Sequence, residues 1–338
     1  MSLNNIEEIA TYIVAEGKGI LAADESNPTC GKRFDSIGVE STEENRRDYR
    51  EMLFRSKGMK DNIGGVILFD ETIRQSAADG TLLRDIISNQ GALPGIKVDK
   101  GLQPIEGCHG ETVTVGLEGL DERLKEYASM GAKFTKWRAV INIGDGIPSD
   151  QSIDANMKAL ADYAKLVQDN GMVPMVEPEV LMDGRHSIDD CYEATERSLQ
   201  SLFTHLIANE VNIKGTILKP NMVTSGSTAE KQAGVQEVAE KTVDCLLKNV
   251  PASLPGITFL SGGQSDIHAT AHLDAMNKLG GLLWKVSFSY GRALQAAALK
   301  AWKGKPENMF ISQDALSHRA LMNKLASQGE WDSSLEDQ

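Results

Sequence analysis

Nothing in this sequence is built to cross-link in an oxidising compartment, to hold a metal or to enter a membrane. Only four cysteines occur in 338 residues, Cys30, Cys108, Cys191 and Cys245, and no two stand in a CxxC spacing. Neither a disulfide framework nor a cysteine zinc site is indicated, and reduced thiols in a cytosolic protein are the simpler account. The six histidines form no ligand cluster; His268 and His272 lie four apart in HATAH, without the glutamate of the zinc-protease motif, and read as one face of a surface helix. No run approaches the ~20 apolar residues a bilayer demands. The amino terminus, MSLNNIEEIA, lacks the basic segment and apolar core of a signal peptide. Basic charge is scarce: the formal net charge is −13, which argues against nucleic acid or an anionic membrane as the main partner. An anionic substrate would need cations gathered into one cleft.

What is present is alternation. Short apolar runs at Gly19–Ala23, Gly65–Phe69, Gly95–Val98, Lys133–Arg138, Met172–Val176, Gly215–Leu218, Ile257–Leu260 and Leu282–Ser287 read as eight strands. Between or after them, segments such as Ile153–Val167, Asp189–Ile207, Glu230–Leu247 and Ile267–Leu279 carry apolar residues at helical spacing. No GxGxxG follows the first strand, so a doubly wound dinucleotide fold is disfavoured. The expected fold is α/β, a single (β/α)8 barrel over residues 1–338 with additional helices at both termini. The acidic, polar segment Gly329–Gln338 is expected to be loosely held. Met172, Met175 and Met182, around the fifth strand, read as core filler.

Charged residues recur at one end of the strands. The first strand ends in Asp24-Glu25-Ser26, the third in Lys97-Val98-Asp99-Lys100, the fourth in Lys136-Trp137-Arg138 and the fifth in Glu177-Pro178-Glu179. The sixth ends in Lys219, the seventh in Ser261-Gly262-Gly263, and the eighth leads into Ser289-Tyr290-Gly291-Arg292. In such barrels the carboxyl ends of the strands form the active-site face. Lys136 and Arg138 are two apart, as are Glu177 and Glu179, so each pair shares one face of its strand. Buried ion pairs that merely hold the barrel mouth together are the plainer reading, but they are a poor source of stability.

Lys219 closes the strand in GTILKPNM. A strand-end lysine can snorkel to solvent. In a low-dielectric site beside another cation, however, a lysine loses its proton far below the ordinary pKa of about 10.4 and becomes a nucleophile for carbonyls. The turns SGGQS (Ser261–Ser265) and SYGR (Ser289–Arg292) precede helices after the seventh and eighth strands, where barrel enzymes seat phosphate. Lys97, Arg138, Lys32 and Arg33 can form a second cationic pole. Two such poles around a nucleophilic lysine suggest a small, doubly phosphorylated carbonyl compound.

These residues fall within motifs of a known family. GKGILAADES (Gly17–Ser26), TEENRR (Thr42–Arg47), GGVILFDET (Gly64–Thr72), GIKVDKG (Gly95–Gly101), FTKWR (Phe134–Arg138), VEPE (Val176–Glu179), LKPNMV (Leu218–Val223), FLSGGQS (Phe259–Ser265) and SFSYGRALQ (Ser287–Gln295) occur in order. Together they closely resemble class I fructose-1,6-bisphosphate aldolase, from about Ile6 to about Gly329. The resemblance implies a TIM barrel in which Lys219 forms a Schiff base with the substrate ketone, and Glu177 serves as general acid and base. Asp24 would orient lysine and substrate, and Lys136 would be the neighbouring cation. Lys97, Arg138 and Thr29 match positions near the 6-phosphate; Ser261, Gly262, Gly291 and Arg292 match the 1-phosphate site. Ser26, Lys32, Arg33, Glu179, Gly263 and Ser289 complete the matched substrate-binding set.

The resemblance further implies a cytoplasmic homotetramer acting on sugar phosphates in glycolysis, gluconeogenesis or the Calvin cycle, with no cofactor beyond the covalent imine and no metal. Several members of the family end in a tail whose terminal tyrosine serves proton exchange; GEWDSSLEDQ has none, so a hydroxyl, carboxylate or water in the pocket is expected to take that task. Two other readings stand beside this one. The first is a related Schiff-base enzyme preferring sedoheptulose 1,7-bisphosphate. The second is a tetrameric scaffold with a vestigial site, against which the intact Lys219, Glu177, Lys136 and Asp24 argue.

Overall fold

The alternation of side-chain direction along a strand decides what fills this molecule. In the computed structural model, which describes residue 3 and residues 5–337, eight parallel strands close into a barrel. They are β1 (Gly19–Ala23), β2 (Ile63–Leu68), β3 (Leu93–Lys97), β4 (Phe134–Ile141), β5 (Val173–Val180), β6 (Ile217–Leu218), β7 (Gly256–Phe259) and β8 (Lys285–Tyr290). Each pairs with its sequence neighbours, and β8 returns to β1. Parallel neighbours need crossovers, and helices supply them on the outside. Those that bear on the site are α1 (Asn27–Asp35), α2 (Glu43–Phe54), α3 (Asp150–Asp169), α4 (Ile188–Ala208), α5 (Val235–Asn249), α6 (Asp266–Leu279), α7 (Arg292–Trp302) and α8 (Met309–Gln328).

On β4, the odd-facing residues Thr135 and Trp137 turn outward to α3, where Thr135 meets the Tyr163 hydroxyl at 2.6 Å and the Trp137 and Tyr163 rings stack at 5.4 Å. The other parity turns inward: Phe134 at the bottom of the barrel, Lys136 and Arg138 above it. The same phase runs through Val173, Met175, Glu177 and Glu179 on β5, through Ile217 on β6 and through Lys219 just past its end. Apolar members of this set pack as one cluster with Ile20, Ala22 and Ile67. The helix Ile6–Ile13 plugs that lower end, adding Ile9, Ala10, Ile13 and Val14 to the cluster; its N-cap Asn5 accepts the Glu8 amide at 2.9 Å. Phe134 fills the space across the barrel so fully that a Cβ on Gly95 would stand 2.3 Å from its ring. With the bottom sealed by apolar side chains, the charged upper layer has one way out, through the carboxyl ends of the strands.

Several expectations are corrected. β4 and β5 run three and four residues past their expected ends, to Ile141 and Val180. β6 is only two residues long, because Ile213–Gly215 is a 3-10 turn and Pro220 brings no N–H to a ladder. A hairpin of Leu102–Pro104, which is exposed, and Thr112–Thr114, which is partly buried, was not anticipated. His272 is not on a helix surface but buried under the Ser261–Ser265 turn, and Met182 is not core but lines the cavity described below. In the terminal segment Trp331 is buried, its amide donating to Asp274 at 3.0 Å, and Glu336 receives both Arg319 Nη atoms at 2.9 and 2.6 Å.

Candidate active site

A cavity of about 1010 Å³ opens at the carboxyl ends of the strands. All of Asp24, Ser26, Thr29, Lys32, Arg33, Lys97, Lys136, Arg138, Glu177, Glu179, Lys219, Ser261, Gly262, Gly263, Ser289, Gly291 and Arg292 line it, drawn from seven strands and the loops behind them. No site residue expected from sequence lies elsewhere. Asp99, Glu25, Met182 and Ser227 also line the cavity and are not among the site residues expected from sequence. The alternation along β3 carries a usable signal for Asp99, two residues beyond Lys97 and hence on the same face. Ser227 has no such signal, because it arrives by a loop: its amide donates to the Met182 carbonyl at 2.6 Å.

Lys219 Nζ lies 3.1 Å from Glu177 Oε1, with both side chains about 5% exposed. The second carboxylate oxygen, Glu177 Oε2, lies 3.4 Å from Lys136 Nζ. Lys136 in turn meets Asp24 Oδ2 at 2.7 Å and Asp99 Oδ2 at 3.8 Å, and Asp99 Oδ1 meets Lys97 at 2.9 Å. Arg138 Nε binds Glu179. Lysines and carboxylates therefore alternate along a chain from Lys97 to Lys219, each cation sharing its acids with the next.

The electrostatics follow from that sharing. Burial opposes the charge on Lys136, but Asp24, Glu177 and Asp99 outweigh it and raise its pKa well above the ordinary lysine value. Burial likewise opposes ionisation of Asp24; Lys136 and then Lys219 overcome it and hold this carboxyl well below the usual range. Glu177 and Glu179 part company. Burial pushes both up, yet Lys219 and Lys136 bring Glu177 below its ordinary value. Glu179, with Arg138 as its main cation and the charge of Glu177 beside it, stays above.

Two turns on the opposite wall have the geometry of anion seats. Gly262 and Gly263 both adopt positive φ (54° and 95°), a shape that favours glycine, and the Gln264 amide closes this turn on the Ser261 carbonyl at 3.0 Å. Ser265 then caps α6, accepting the His268 amide at 3.2 Å. From behind, His272 Nδ1 holds Gln264 Oε1 at 2.5 Å; burial, with His268, pushes the imidazole pKa down to about 4, so it is neutral and Nδ1–H donates. Gly291 is the N-cap of α7, and both it and Arg292, the first residue of that helix, line the cavity. Ser289 Oγ, buried and lining the cavity, has no protein partner among the described residues. Those residues also contain no group of three or more His, Cys, Asp or Glu placed to hold a metal ion.

Comparison with known proteins gives one consistent match. The family model for fructose-bisphosphate aldolase class-I matches residues 5–338. A probable fructose-bisphosphate aldolase class 1 of Xanthomonas axonopodis pv. citri is 55% identical over 332 residues, covering 98% of this chain and 99% of its own. The cytosolic fructose-bisphosphate aldolase 4 of Arabidopsis thaliana is 50% identical over 321 residues, covering 95% and 82%. Among solved structures, a fructose-bisphosphate aldolase from Plasmodium falciparum, crystallised with TRAP and a small-molecule inhibitor, superposes with a TM-score of 0.96 at 46% identity, covering 97% of this chain and 95% of that one.

Proposed function

Because the chain belongs to the class I fructose-bisphosphate aldolase family and has that family's lyase activity, we propose that Lys219 is its Schiff-base lysine and Glu177 its proton carrier. The observation that carries this reading is the 3.1 Å contact between Lys219 Nζ and Glu177 Oε1 at the buried floor of the cavity. Attack requires the free amine, and Glu177 is one hop away to take its proton. The nitrogen lone pair then bonds to C2 of fructose 1,6-bisphosphate as the carbonyl pair moves to oxygen, and one of the two protons on that nitrogen passes to the oxygen to give the C2 hydroxyl. The proton now on Glu177 leaves with the C2 hydroxyl as water, and an iminium remains. Glu177, again a carboxylate, accepts the C4 hydroxyl proton while the C3–C4 pair flows into the C=N⁺ bond. Glyceraldehyde 3-phosphate departs, and the proton that Glu177 took is delivered to the enamine at C3. Water then releases dihydroxyacetone phosphate and returns the amine.

The other residues serve this sequence. Lys136, kept charged by its three acids, cannot compete as a nucleophile and is the fixed cation beside the developing charges. Asp24 keeps Lys136 in place and faces the substrate carbinol. The turns at Ser261–Gly263 and Gly291–Arg292 take the 1-phosphate, with Ser289 beside them; Arg33, expected from sequence at the other cationic pole, belongs here instead, its Nη2 lying 3.5 Å from where a Cβ on Gly291 would stand. Lys97, Arg138, Lys32, Ser26 and Thr29 meet the far end of the sugar phosphate, and Glu179 keeps Arg138 oriented. We extend the proposal to a cytosolic homotetramer that needs no metal, with fructose 1,6-bisphosphate preferred to sedoheptulose 1,7-bisphosphate; the cytosolic relative supports the first point. Sedimentation equilibrium reads the oligomer, and kcat/KM on both bisphosphates reads the preference.

The deciding experiment is borohydride reduction in the presence of dihydroxyacetone phosphate, followed by peptide mass spectrometry. The expected result is one adduct, on Lys219, lost in Lys219→Ala and unaffected by chelator. An adduct on another lysine, or cleavage without any adduct, overturns the assignment.

A further inference from the structure

A buried polar network that none of the steps above uses runs from the outer helices to the cavity wall. Arg50, on α2, is completely buried. Its Nη2 donates to the Glu25 carbonyl at 2.9 Å and lies 3.4 Å from Glu25 Oε2, while Nε and Nη1 have no acceptor among the described residues. Gln295, on α7, is equally enclosed. Its Nε2 donates to Glu25 Oε1 at 3.0 Å and to the Ala22 carbonyl at 2.7 Å, and its Oε1 accepts the Tyr49 hydroxyl at 3.0 Å. Glu25 Oε1 also receives Nη1 of Arg33. Arg33 is the most open member, and its other terminal nitrogen, Nη2, lies 3.5 Å from where a Cβ on Gly291 would stand. The guanidinium thus hangs over the turn that precedes Arg292.

A fully buried arginine with two unsatisfied N–H edges is an expensive way to join helices, and apolar residues would do it better. What the network gives is direction. Glu25 is gripped through its carbonyl and both carboxylate oxygens, so its carboxylate cannot rotate. Arg33, a long side chain with much rotamer freedom, is fixed by that carboxylate at one end and left open at the other. A guanidinium already aimed loses less freedom when it binds a phosphate.

We propose that Arg50, Gln295 and Tyr49 are positioning residues that lock Glu25, and that Glu25 aims Arg33 at the phosphate seated on the Gly291–Arg292 turn. The proposal rests on the aldolase reading and assigns this network to the 1-phosphate end of the substrate. It predicts a defect confined to ligands that carry that phosphate.

The test uses full-length enzyme and borohydride trapping on Lys219, with dihydroxyacetone phosphate and phosphate-free dihydroxyacetone as probes. The variants are Gln295→Met, which keeps the buried volume, and Tyr49→Phe, which removes one hydroxyl and keeps the ring between Phe34 and Trp302. Gln295→Met is expected to raise the half-saturating concentration of dihydroxyacetone phosphate about tenfold, and Tyr49→Phe less, with the dihydroxyacetone value unchanged. In an Arg33→Ala background, Gln295→Met is expected to add nothing further. Equal shifts for both probes, no shift in either variant, or an undiminished Gln295→Met effect without Arg33 overturns the proposal. Failure of the wild type to form any adduct on Lys219 strikes the aldolase reading instead.

Discussion

At the scale of single residues the site works by sharing. Glu177 touches two ammonium groups with two oxygens, so it can hand a proton to one partner while the other keeps it in place. Glu177→Gln keeps the shape and one acceptor but cannot carry a proton. It is expected to lower kcat by about 10²–10⁴-fold, with a much smaller change in substrate half-saturation, read by steady-state kinetics. Asp24 makes a second, thermodynamic prediction. Its pKa is depressed in the fold because Lys136 and Lys219 overcome burial, so the native state binds fewer protons than the unfolded chain. The stability this contributes is complete above the ordinary carboxylate pKa of about 4 and is lost as pH falls below it. Urea midpoints of the wild type are therefore expected to drop between about pH 5 and about pH 3, and those of Asp24→Asn to drop less over the same range.

At the scale of elements, the barrel depends on one inward phase per strand, apolar below and charged above. Gly95 exposes how tightly the lower layer is set: its missing Cβ is the room in which the Phe134 ring lies. Gly95→Ala is expected to cost on the order of 1–3 kcal/mol by overpacking, seen as a lower urea midpoint with an unchanged slope. Most of this architecture was legible in the sequence, because short apolar runs separated by helical periods mark strands irrespective of what packs on them. The ends of β4 and β5 were not. There the inward positions belong to Arg138, Glu177 and Glu179, so polarity rises while the strand continues to Ile141 and Val180. Charge at those positions signals a site, and it imitates a terminus. Lys219 and Glu177, the pair proposed above to carry the chemistry, were readable from the motifs in which they sit. Glu25 was visible only as one more acid at the end of a strand, since its partners Arg50 and Gln295 are 25 and 270 residues away and no local pattern joins them. His272 was misread for a related reason: helical spacing pairs it with His268, while its burial comes from the turn before its own helix.

At the scale of the whole molecule, an acidic protein must bind a sugar bearing two phosphates, each carrying about −1.5 to −2 charge at neutral pH. The chain carries a net charge of −13, yet seven lysines and arginines and six carboxylates line the cavity. The surplus of acid therefore lies on the outer surface, away from the site. Which field the substrate obeys is a question of range. At physiological ionic strength charges are screened over about 8 Å, so acids on the outer helices act weakly at the mouth, whereas cavity cations meet phosphate oxygens in contact. Added salt screens the distant repulsion a little further, and it also competes for the open cations Lys32, Arg138 and Arg292. If contact attraction governs, KM for fructose 1,6-bisphosphate rises steadily with potassium chloride while kcat holds, because Lys219, Glu177 and Lys136 are buried beyond the reach of screening ions. If the net field governed, kcat/KM would climb with salt as repulsion was relieved. The expected outcome is the rise in KM, and the slope is expected to flatten in Arg292→Ala, where one of the open cations has been removed.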